Sequence, residues 1–359
     1  MDCPPENPLF EAPLIFDKQY LEFVREHRSR IRAVHFSLHA EGLLDARYQF
    51  QTHLLDLIKE GLAGLTGIRK YALLNSCFHH PDAYFEPGAW ESVEKAIMPL
   101  ADAGLVDGVV FSDLYFMNAF SDHLPHLAEQ LEAIPSINFM MDSWDKCRVV
   151  LDAAARTRFR PPSKINLDRS LNRQADRLAD ISFRLREGYP GIQICLLVNE
   201  GCIFQCPFKK AHDAHISLSN TGLAPERNHD LARDFGCQRT YEDAPFELLK
   251  SPFIRPEDIA AYGCVADIFK ICGRTLGPAF LKRTVSAYLE GSYQGNLLDL
   301  MDTTSYLASS IFIDNAGIPS GFQDRVAGCD RACDLCGYCE QVFDQCARPK
   351  EFEIPKQRP

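Results

Sequence analysis

The sequence lacks the features that direct a chain into or across a membrane. Its first residues, Met1-Asp-Cys-Pro-Pro-Glu-Asn-Pro, contain neither a basic segment nor a long apolar one. No later window approaches the run of about 18 uncharged apolar residues that a membrane-spanning helix needs. We therefore expect a soluble, cytoplasmic chain without a membrane span.

Positive charge is also scarce. The 38 Lys and Arg residues are outnumbered by 49 Asp and Glu residues, and the formal net charge is -11. Proteins that bind nucleic acid broadly neutralise its phosphates with cationic side chains. The charge balance therefore disfavours nucleic acid as a partner, and we expect a small-molecule or peptide substrate.

Two signatures of familiar peptidases are missing as well. The sequence contains no His-Glu-x-x-His zinc motif, and no catalytic triad can be read from it. Among the enzyme classes, a peptidase is therefore the one that the sequence favours least.

Cysteine, in contrast, is abundant, with 14 residues in a chain of 359. One cluster contains Cys202 and Cys206, and a second lies near the C-terminus. In a reducing compartment, cysteines two or three residues apart bind metal ions or iron–sulfur clusters instead of forming disulfides. Both clusters therefore indicate bound metal.

Short apolar runs alternate with longer amphipathic stretches, which is the pattern of βα units. The predicted strands are Ile31–Ser37, Lys70–Ser76, Asp107–Ser112, Ser136–Asp142, Ser163–Leu167, Gly191–Val198, Phe246–Ser251 and Asp267–Ile271. The predicted helices are Tyr48–Leu65, Ala89–Ala103, Leu124–Ala133, Trp144–Ala155, Asn172–Glu187 and Pro278–Leu289. This order predicts an α/β fold, a (βα)8 TIM-like barrel with a cysteine-rich C-terminal extension.

The same pattern divides the chain into three parts. Residues 1–30 form an N-terminal segment, and residues 31–290 form the barrel. The barrel contains a long insertion, residues 199–245, that is rich in Cys, His, Asn and Asp. Long loops inside compact domains usually serve a site. Residues 291–359 form the cysteine-rich extension.

Polar side chains follow the predicted strands, where the active sites of such barrels lie. Glu200 is two residues from Cys202, and Arg274 follows the last strand with a planar fork suited to a carboxylate or phosphate. Asp142 and Lys270 also lie at strand ends. We expect these four residues to supply the acid–base and anion-binding groups of a barrel mouth.

Cys202 and Cys206 follow the sixth predicted strand, and two thiolates cannot complete a metal centre. Cys237, in the same insertion, and Cys77, after the second predicted strand, are candidates for the remaining ligands. Four thiolates from separate loops suit a [4Fe–4S] cluster, and structural zinc fits the spacing equally well.

The C-terminal run is Cys329-x3-Cys333-x2-Cys336-x2-Cys339-x6-Cys346. It contains the Cys-x3-Cys-x2-Cys spacing of radical S-adenosylmethionine enzymes, but it lies far beyond the last predicted strand instead of after the first. We therefore expect an auxiliary centre, either a second [4Fe–4S] cluster or zinc. Its ligands would be Cys329, Cys333, Cys336 and either Cys339 or Cys346.

Three segments resemble the collagenase-like peptidase family: Asn199-Glu-Gly-Cys-Ile-Phe-Gln-Cys-Pro-Phe, Leu249-Lys-Ser-Pro-Phe-Ile-Arg-Pro-Glu-Asp-Ile and Asp267-Ile-Phe-Lys-Ile-Cys-Gly-Arg. The family includes proteins of oxygen-independent ubiquinone hydroxylation and of RNA base hydroxylation. The resemblance implies a TIM-like barrel over residues 30–290, with a [4Fe–4S] cluster held by four cysteines. Cys202 and Cys206 match its paired ligand motif, and Arg255 and Arg274 match further positions.

The expected function is therefore an iron–sulfur enzyme, an oxidoreductase that modifies a small molecule or peptide in an oxygen-independent, hydroxylation-type reaction. It would need an electron donor or another protein partner. Two alternatives remain open. One is a radical S-adenosylmethionine enzyme that uses the C-terminal cysteines, and the other is a non-catalytic, metal-stabilised scaffold that binds a protein partner.

Overall fold

The computed structural model describes residues 7–38, 44–47 and 55–350, and eight parallel strands form its main sheet. These strands are β1 (Leu9–Pro13), β2 (Ile31–Ser37), β3 (Arg69–Leu74), β4 (Gly108–Phe111), β5 (Glu132–Pro135), β6 (Lys164–Asn166), β7 (Gln193–Leu197) and β8 (Ile268–Lys270). Their order across the sheet is β5-β4-β3-β2-β1-β8-β7-β6, which makes a nearly closed barrel. The predicted α/β TIM-like barrel is confirmed.

Alternating side chains explain how each strand serves two cores. In β3, Tyr71 and Leu73 face the barrel interior, where they pack with Ala33, Val110 and Ile134. Ala72 lies between them and Leu74 follows them, and both pack in the larger core beneath the surrounding helices. Because successive strand residues point to opposite faces, one apolar run fills both layers.

Helices surround the strands and continue into the C-terminal extension. They are α1 (Lys18–Glu26), α2 (Leu55–Ala63), α3 (Asp82–Phe85), α4 (Pro87–Ala101), α5 (Leu114–His123), α6 (Pro125–Ala128), α7 (Trp144–Ala155), α8 (Ala175–Gly188), α9 (Lys209–Asn220), α10 (Asn228–Phe235), α11 (Cys237–Asp243), α12 (Gly277–Glu290), α13 (Phe322–Ala327), α14 (Cys333–Cys336) and α15 (Tyr338–Cys346). In the part of the chain that the structure describes, no helix combines the length and the apolar character required to span a membrane. The predicted helix Tyr48–Leu65 lies partly outside the described residues.

Three sequence predictions about strands differ from the structure. β1 was not predicted, because prolines flank and end its short run. The predicted strand Phe246–Ser251 is a 3-10 helix, Pro245–Lys250, in which the adjacent residues Leu248 and Leu249 are both buried instead of alternating. The segment predicted as the strand Ser136–Asp142 contains a 3-10 helix, Ile137–Phe139, and β5 precedes it, overlapping the end of the predicted helix Leu124–Ala133.

A second hydrophobic core joins the extension to the insertion after β7. Tyr241 and Phe253 pack there with extension residues that include Leu298, Phe322 and Val342. Two short antiparallel strands, β9 (Ile311–Ile313) and β10 (Ala347–Pro349), bring the end of the extension back to its beginning. This core holds the extension against the carboxyl-terminal end of the barrel.

Candidate functional site

A pocket of about 180 Å³ lies at the carboxyl ends of the strands. Lys270 and Arg274 reach it from the end of β8, and Cys202 belongs to the insertion after β7. Thr304 and Tyr306 enter from the C-terminal extension. Parallel barrels carry their chemistry at this end because the βα loops converge there. The extension therefore contributes directly to the candidate site.

A larger cavity, about 630 Å³, lies at the opposite end of the barrel. Its walls include Leu9 and Gln193, the first residues of β1 and β7. Volume alone does not identify a site, and conserved barrel chemistry is found at the carboxyl ends. The smaller pocket has the stronger claim because it lies at the carboxyl ends and four cysteines line it, whereas none of the described cysteines lines the larger cavity.

Lys270 belongs to a buried ionic group in the barrel interior. It pairs with one carboxylate oxygen of Glu11 from β1, and Lys164 from β6 pairs with the other. His35 Nδ1 lies 3.0 Å from Lys270 Nζ and 3.0 Å from Glu11 Oε1. Lys164 is 1% exposed, whereas Lys270 lines the pocket. Of this pair of lysines, Lys270 is the one that can meet a bound molecule.

The charges within this group do not balance. One carboxylate cannot neutralise two ammonium groups. The free energy needed to remove a proton from one of the two lysines is therefore small. Burial lowers the pKa of Lys164 well below its ordinary range. Burial also lowers the pKa of Lys270, to about 8, and Arg274 adds to this shift. An amine with this pKa exchanges protons near neutral pH, which suits a general base.

Glu200 does not line the pocket and is held by two arginines, one of which, Arg47, does. Its carboxylate forms an ion pair with Arg169 and lies 3.8 Å from Arg47 Nη2. Arg47 pairs in turn with Asp302 of the extension. Arg169 Nη1 also approaches Cys202 Sγ at 3.5 Å. This network fixes the predicted acidic residue and ties the extension to the insertion.

One group of possible metal ligands occurs within the described ranges 7–38, 44–47 and 55–350. Ligand atoms of Glu200, Cys272 and Asp302 all lie within 4.8 Å of one another. Both carboxylates already have guanidinium partners, Arg169 and Arg47. A cation here would have to displace two positive charges. We therefore assign these carboxylates to the ion-pair network.

The Asn199-Glu-Gly segment positions the residues around it. The Asn199 amide donates to the carbonyls of Cys272, at 3.0 Å, and Leu300, at 2.9 Å, and its oxygen accepts from the Cys272 N–H at 2.8 Å. A Cβ on Gly201 would lie only 2.4 Å from Thr304 Oγ1, so glycine permits this close approach. The segment thus joins β8, the insertion and the extension.

The remaining predicted catalytic residues have different positions. Arg274 lines the pocket and donates to Asp45 Oδ1 at 2.7 Å. Asp142 does not line it and pairs instead with Lys146, at 2.8 Å, and Arg177, at 3.6 Å. These pairs brace the surface of α7 and α8. The structure therefore brings Lys270 and Arg274 into the pocket, holds Glu200 beside it through Arg47, and leaves Asp142 outside it.

Cys202, Cys206 and Cys237 all line the pocket. Burial raises the pKa of the Cys202 and Cys237 thiols, and the nearby Cys206 raises both further. Cys77 is not in the lining, and its sulfur accepts a hydrogen bond from Ser217 at 3.3 Å. Instead, Cys272 is the fourth cysteine of the pocket.

Three facing thiols suit a metal centre, because thiolates are strong ligands and binding deprotonates them. No three of these sulfurs are mutually within 4.8 Å among the residues described. A single zinc ion would hold its sulfurs about 3.8 Å apart, given Zn–S bonds of about 2.3 Å. The structure therefore does not gather these sulfurs as closely as one zinc ion would hold them.

The C-terminal cysteines form a separate group. Cys329, Cys333, Cys336 and Cys339 line another cavity, which lies on the extension. Cys346 is buried in the second hydrophobic core. The two sequence clusters therefore occupy two places in the fold.

Three hydroxyl groups of the pocket were not predicted from the sequence. Thr303 Oγ1, Thr304 Oγ1 and Tyr306 Oη are buried, and no hydrogen-bond partner for them occurs among the residues that the structure describes. Buried hydroxyls without partners are costly, and a bound molecule can satisfy them. No motif signalled these residues, because they lie in the extension beyond β8, the last strand of the barrel.

No protein-family model matches the chain. An uncharacterized protease of Methanocaldococcus jannaschii is 29% identical over 245 residues, which are 68% of this chain and 68% of the relative. The solved structure of a U32 peptidase is 16% identical, with a TM-score of 0.47, and the match covers 75% of this chain and 95% of that chain. The carboxyl transferase domain of Rhizobium etli pyruvate carboxylase is 9% identical, with a TM-score of 0.38 and coverage of 84% and 48%. Because both TM-scores are below 0.5, these two structures carry no weight for function.

The similarity to a protease corrects the predicted function. The cysteine pattern predicts an oxygen-independent redox modification, and the absence of a familiar peptidase motif makes a peptidase the least favoured class. The relative that aligns with 68% of this chain is named a protease. The redox prediction is therefore wrong, and the radical S-adenosylmethionine and scaffold alternatives are not retained. A missing motif excludes only the mechanisms that the motif serves.

Proposed function

We propose that this chain is a peptidase-type hydrolase that binds one end or one residue of a peptide in the barrel-mouth pocket. The observation that carries the proposal is that Lys270 shares one pocket with three hydroxyls for which the described part of the chain offers no hydrogen-bond partner. A base with a pKa of about 8 and free hydrogen-bonding groups are what amide hydrolysis requires. The similarity to a protease supports the same reaction class.

The size and charge of the pocket favour a short, nearly neutral segment. Its volume of about 180 Å³ is below the range of about 300–1,000 Å³ that is usual for drug-sized ligands. Arg274 and Lys209 already have carboxylate partners, Asp45 and Asp213. A strongly anionic substrate would have to compete with these carboxylates, whereas a peptide group would not.

The reaction begins with a water molecule between the substrate carbonyl and Lys270. The neutral Lys270 amine takes a proton from the water as its oxygen bonds to the carbonyl carbon. The carbonyl oxygen then carries the negative charge, and hydroxyls such as those of Thr304 and Tyr306 can donate to it. The C–N bond breaks next, and the Lys270 ammonium returns the proton to the leaving amine.

A cysteine nucleophile is less suited to this pocket. Burial raises the pKa of the thiols of Cys202, Cys206 and Cys237, and it raises that of Cys272 well above its ordinary value. Reactive cysteines depend on the opposite shift, which supplies thiolate at neutral pH. Without a metal, these thiols would be poor nucleophiles.

The same thiols are better suited as ligands, and we propose that Cys202, Cys206 and Cys237 hold a [4Fe–4S] cluster. When bound, a centre with three protein ligands and an open position would supply a Lewis acid that polarises a carbonyl oxygen. Arg169 would stay beside this centre, since it contacts the Cys202 sulfur at 3.5 Å. Its positive charge would offset part of the negative charge of the thiolates.

The test is cleavage of peptides by the full-length protein, purified without oxygen. Dipeptides and short peptides, free or blocked at either end, would be incubated with it, and products identified by mass spectrometry. We expect new termini with wild-type protein and at least a hundredfold slower cleavage with Lys270→Met, the scale of one general base. Lys146→Met, at an exposed lysine outside the pocket, is the control. Equal cleavage by wild type and Lys270→Met would overturn the proposal.

A further inference from the structure

We propose that Cys329, Cys333, Cys336 and Cys339 hold a [4Fe–4S] cluster on the C-terminal extension, and that Cys346 is not a ligand. The sequence alone leaves the fourth ligand open between Cys339 and Cys346, and it leaves zinc as an equal choice. The structure decides the fourth ligand for two reasons, and the spacing of the four cysteines so assigned supplies a third, which decides between cluster and zinc. The inference does not depend on the proposed hydrolase function.

The first reason is the shared cavity. All four thiol-bearing residues line a cavity of about 530 Å³ between the start of the extension's last helices and the 3-10 helix Pro245–Lys250. Gly337 separates Cys336 from Cys339 and has a φ of 60°. This left-handed conformation favours glycine, and it reverses the chain so that α14 and α15 present cysteines to the same cavity.

The second reason is the position of Cys346. It is 6% exposed and packs in the second core with Val342 and Phe322. Its carbonyl accepts from the Asp314 N–H at 2.8 Å, at the junction of β9 and β10. It does not line the cavity of the other four. Cys346 therefore serves packing, which is common for a buried thiol.

The third reason separates a cluster from zinc. Zinc sites usually combine two cysteine pairs that are separated by a dozen or more residues. Here all four ligands lie within Cys329–Cys339, and three follow one another at the two-residue spacing found in ferredoxin-like runs. A four-iron cube accepts ligands at this spacing, so the run favours a cluster over zinc.

The test measures iron, sulfide and zinc in full-length protein purified without oxygen. Cys336→Ser should lose about four iron and four sulfide per chain relative to wild type, together with the matching share of absorbance near 400 nm. The matched variant Cys346→Ser should keep the wild-type content. Cys202→Ser, at the barrel mouth, should leave this cluster in place. Loss of iron from Cys346→Ser but not from Cys336→Ser would overturn the ligand assignment, and zinc without iron would overturn the cluster.

A second measurement does not require the variants to fold. Cys333 and Cys336 are exposed, so their thiols should react rapidly with iodoacetamide unless a metal holds them. We expect mass spectrometry to find both protected in the protein as isolated, and alkylated after a chelator removes the iron. Rapid alkylation in iron-replete protein would overturn the proposal.

Discussion

Arg169 and Glu200 form an ion pair at the barrel mouth, and the same guanidinium lies 3.5 Å from Cys202 Sγ. Glu200 is only 11% exposed, so its charge depends on this partner. Replacement of Arg169 by Met would leave the carboxylate with Arg47 at 3.8 Å as its nearest cation.

We therefore predict that Arg169→Met lowers the free energy of unfolding by about 3 kcal/mol, the usual cost of a buried charge that loses its partner. Arg177→Met is the control, because Arg177 is 42% exposed and pairs at the surface with Asp142. Its cost should stay below about 1 kcal/mol. Urea unfolding measures both, and equal costs would contradict the role given to Arg169.

The activity should depend on pH through Lys270. Its pKa is about 8, and only the neutral amine can accept a proton. The rate constant kcat/KM for peptide cleavage should therefore rise about tenfold per pH unit below 8 and level off above it. Lys270→Arg keeps the charge but cannot lose its proton near this pH, so its residual activity should show no such rise. A wild-type profile that falls between pH 6 and 8 would exclude Lys270 as the base.

Glu11 should be essential to the barrel interior. Glu11→Gln would leave Lys164, Lys270 and His35 buried without a carboxylate, and we expect a loss of about 3–5 kcal/mol in the free energy of unfolding. Adding Lys164→Met removes one of the buried amines that lost this carboxylate, so the double variant should regain part of that loss. Glu94→Gln, which alters a surface pair with His126, is the control and should cost below about 1 kcal/mol. A double variant less stable than Glu11→Gln would contradict this account.

The barrel could be predicted from the sequence because apolar runs and amphipathic helices alternate along the chain. Local errors arose where a short segment had two interpretations. Phe246–Ser251 is as apolar as a strand, yet Pro245 begins a 3-10 helix and both Leu248 and Leu249 are buried in the second core. β1 was missed because its few residues are framed by proline, and only the sheet gives them their partners.

Part of the site was predictable because its residues lie at strand ends or in the long insertion. Lys270 and Cys202 lie directly after strands or in the insertion, where sequence position indicates the mouth. Glu11, which pairs with Lys270, is separated from it by 259 positions and comes from a strand that was not predicted. The hydroxyls of Thr304 and Tyr306 arrive from an extension whose docking depends on tertiary packing, and no local pattern signals it.

Replacement of Tyr306 should lower the cleavage rate without lowering the free energy of unfolding. Its buried hydroxyl has no partner within the described ranges, so Tyr306→Phe should leave the free energy of unfolding unchanged or slightly raise it. If the hydroxyl contacts the substrate, kcat/KM should fall about tenfold, the effect of one hydrogen bond. Tyr84→Phe is the control with the reverse expectation, because it removes a hydrogen bond of 2.6 Å to Asp113 outside the pocket. That variant should lose stability and keep its cleavage rate.

The last prediction distinguishes the mouth ligands from the other barrel cysteines. Cys202, Cys206 and Cys237 line the pocket, so Cys202→Ser and Cys237→Ser should each lose the metal bound at the mouth. Cys77 lies outside the lining and its sulfur accepts from Ser217, so Cys77→Ser should keep the wild-type metal content. All variants would carry intact C-terminal cysteines, whose iron sets a constant background. Iron and sulfide analysis after purification without oxygen measures the difference. Loss of mouth iron in Cys77→Ser would return Cys77 to the ligand set, and full iron in Cys202→Ser would exclude a cluster at the mouth.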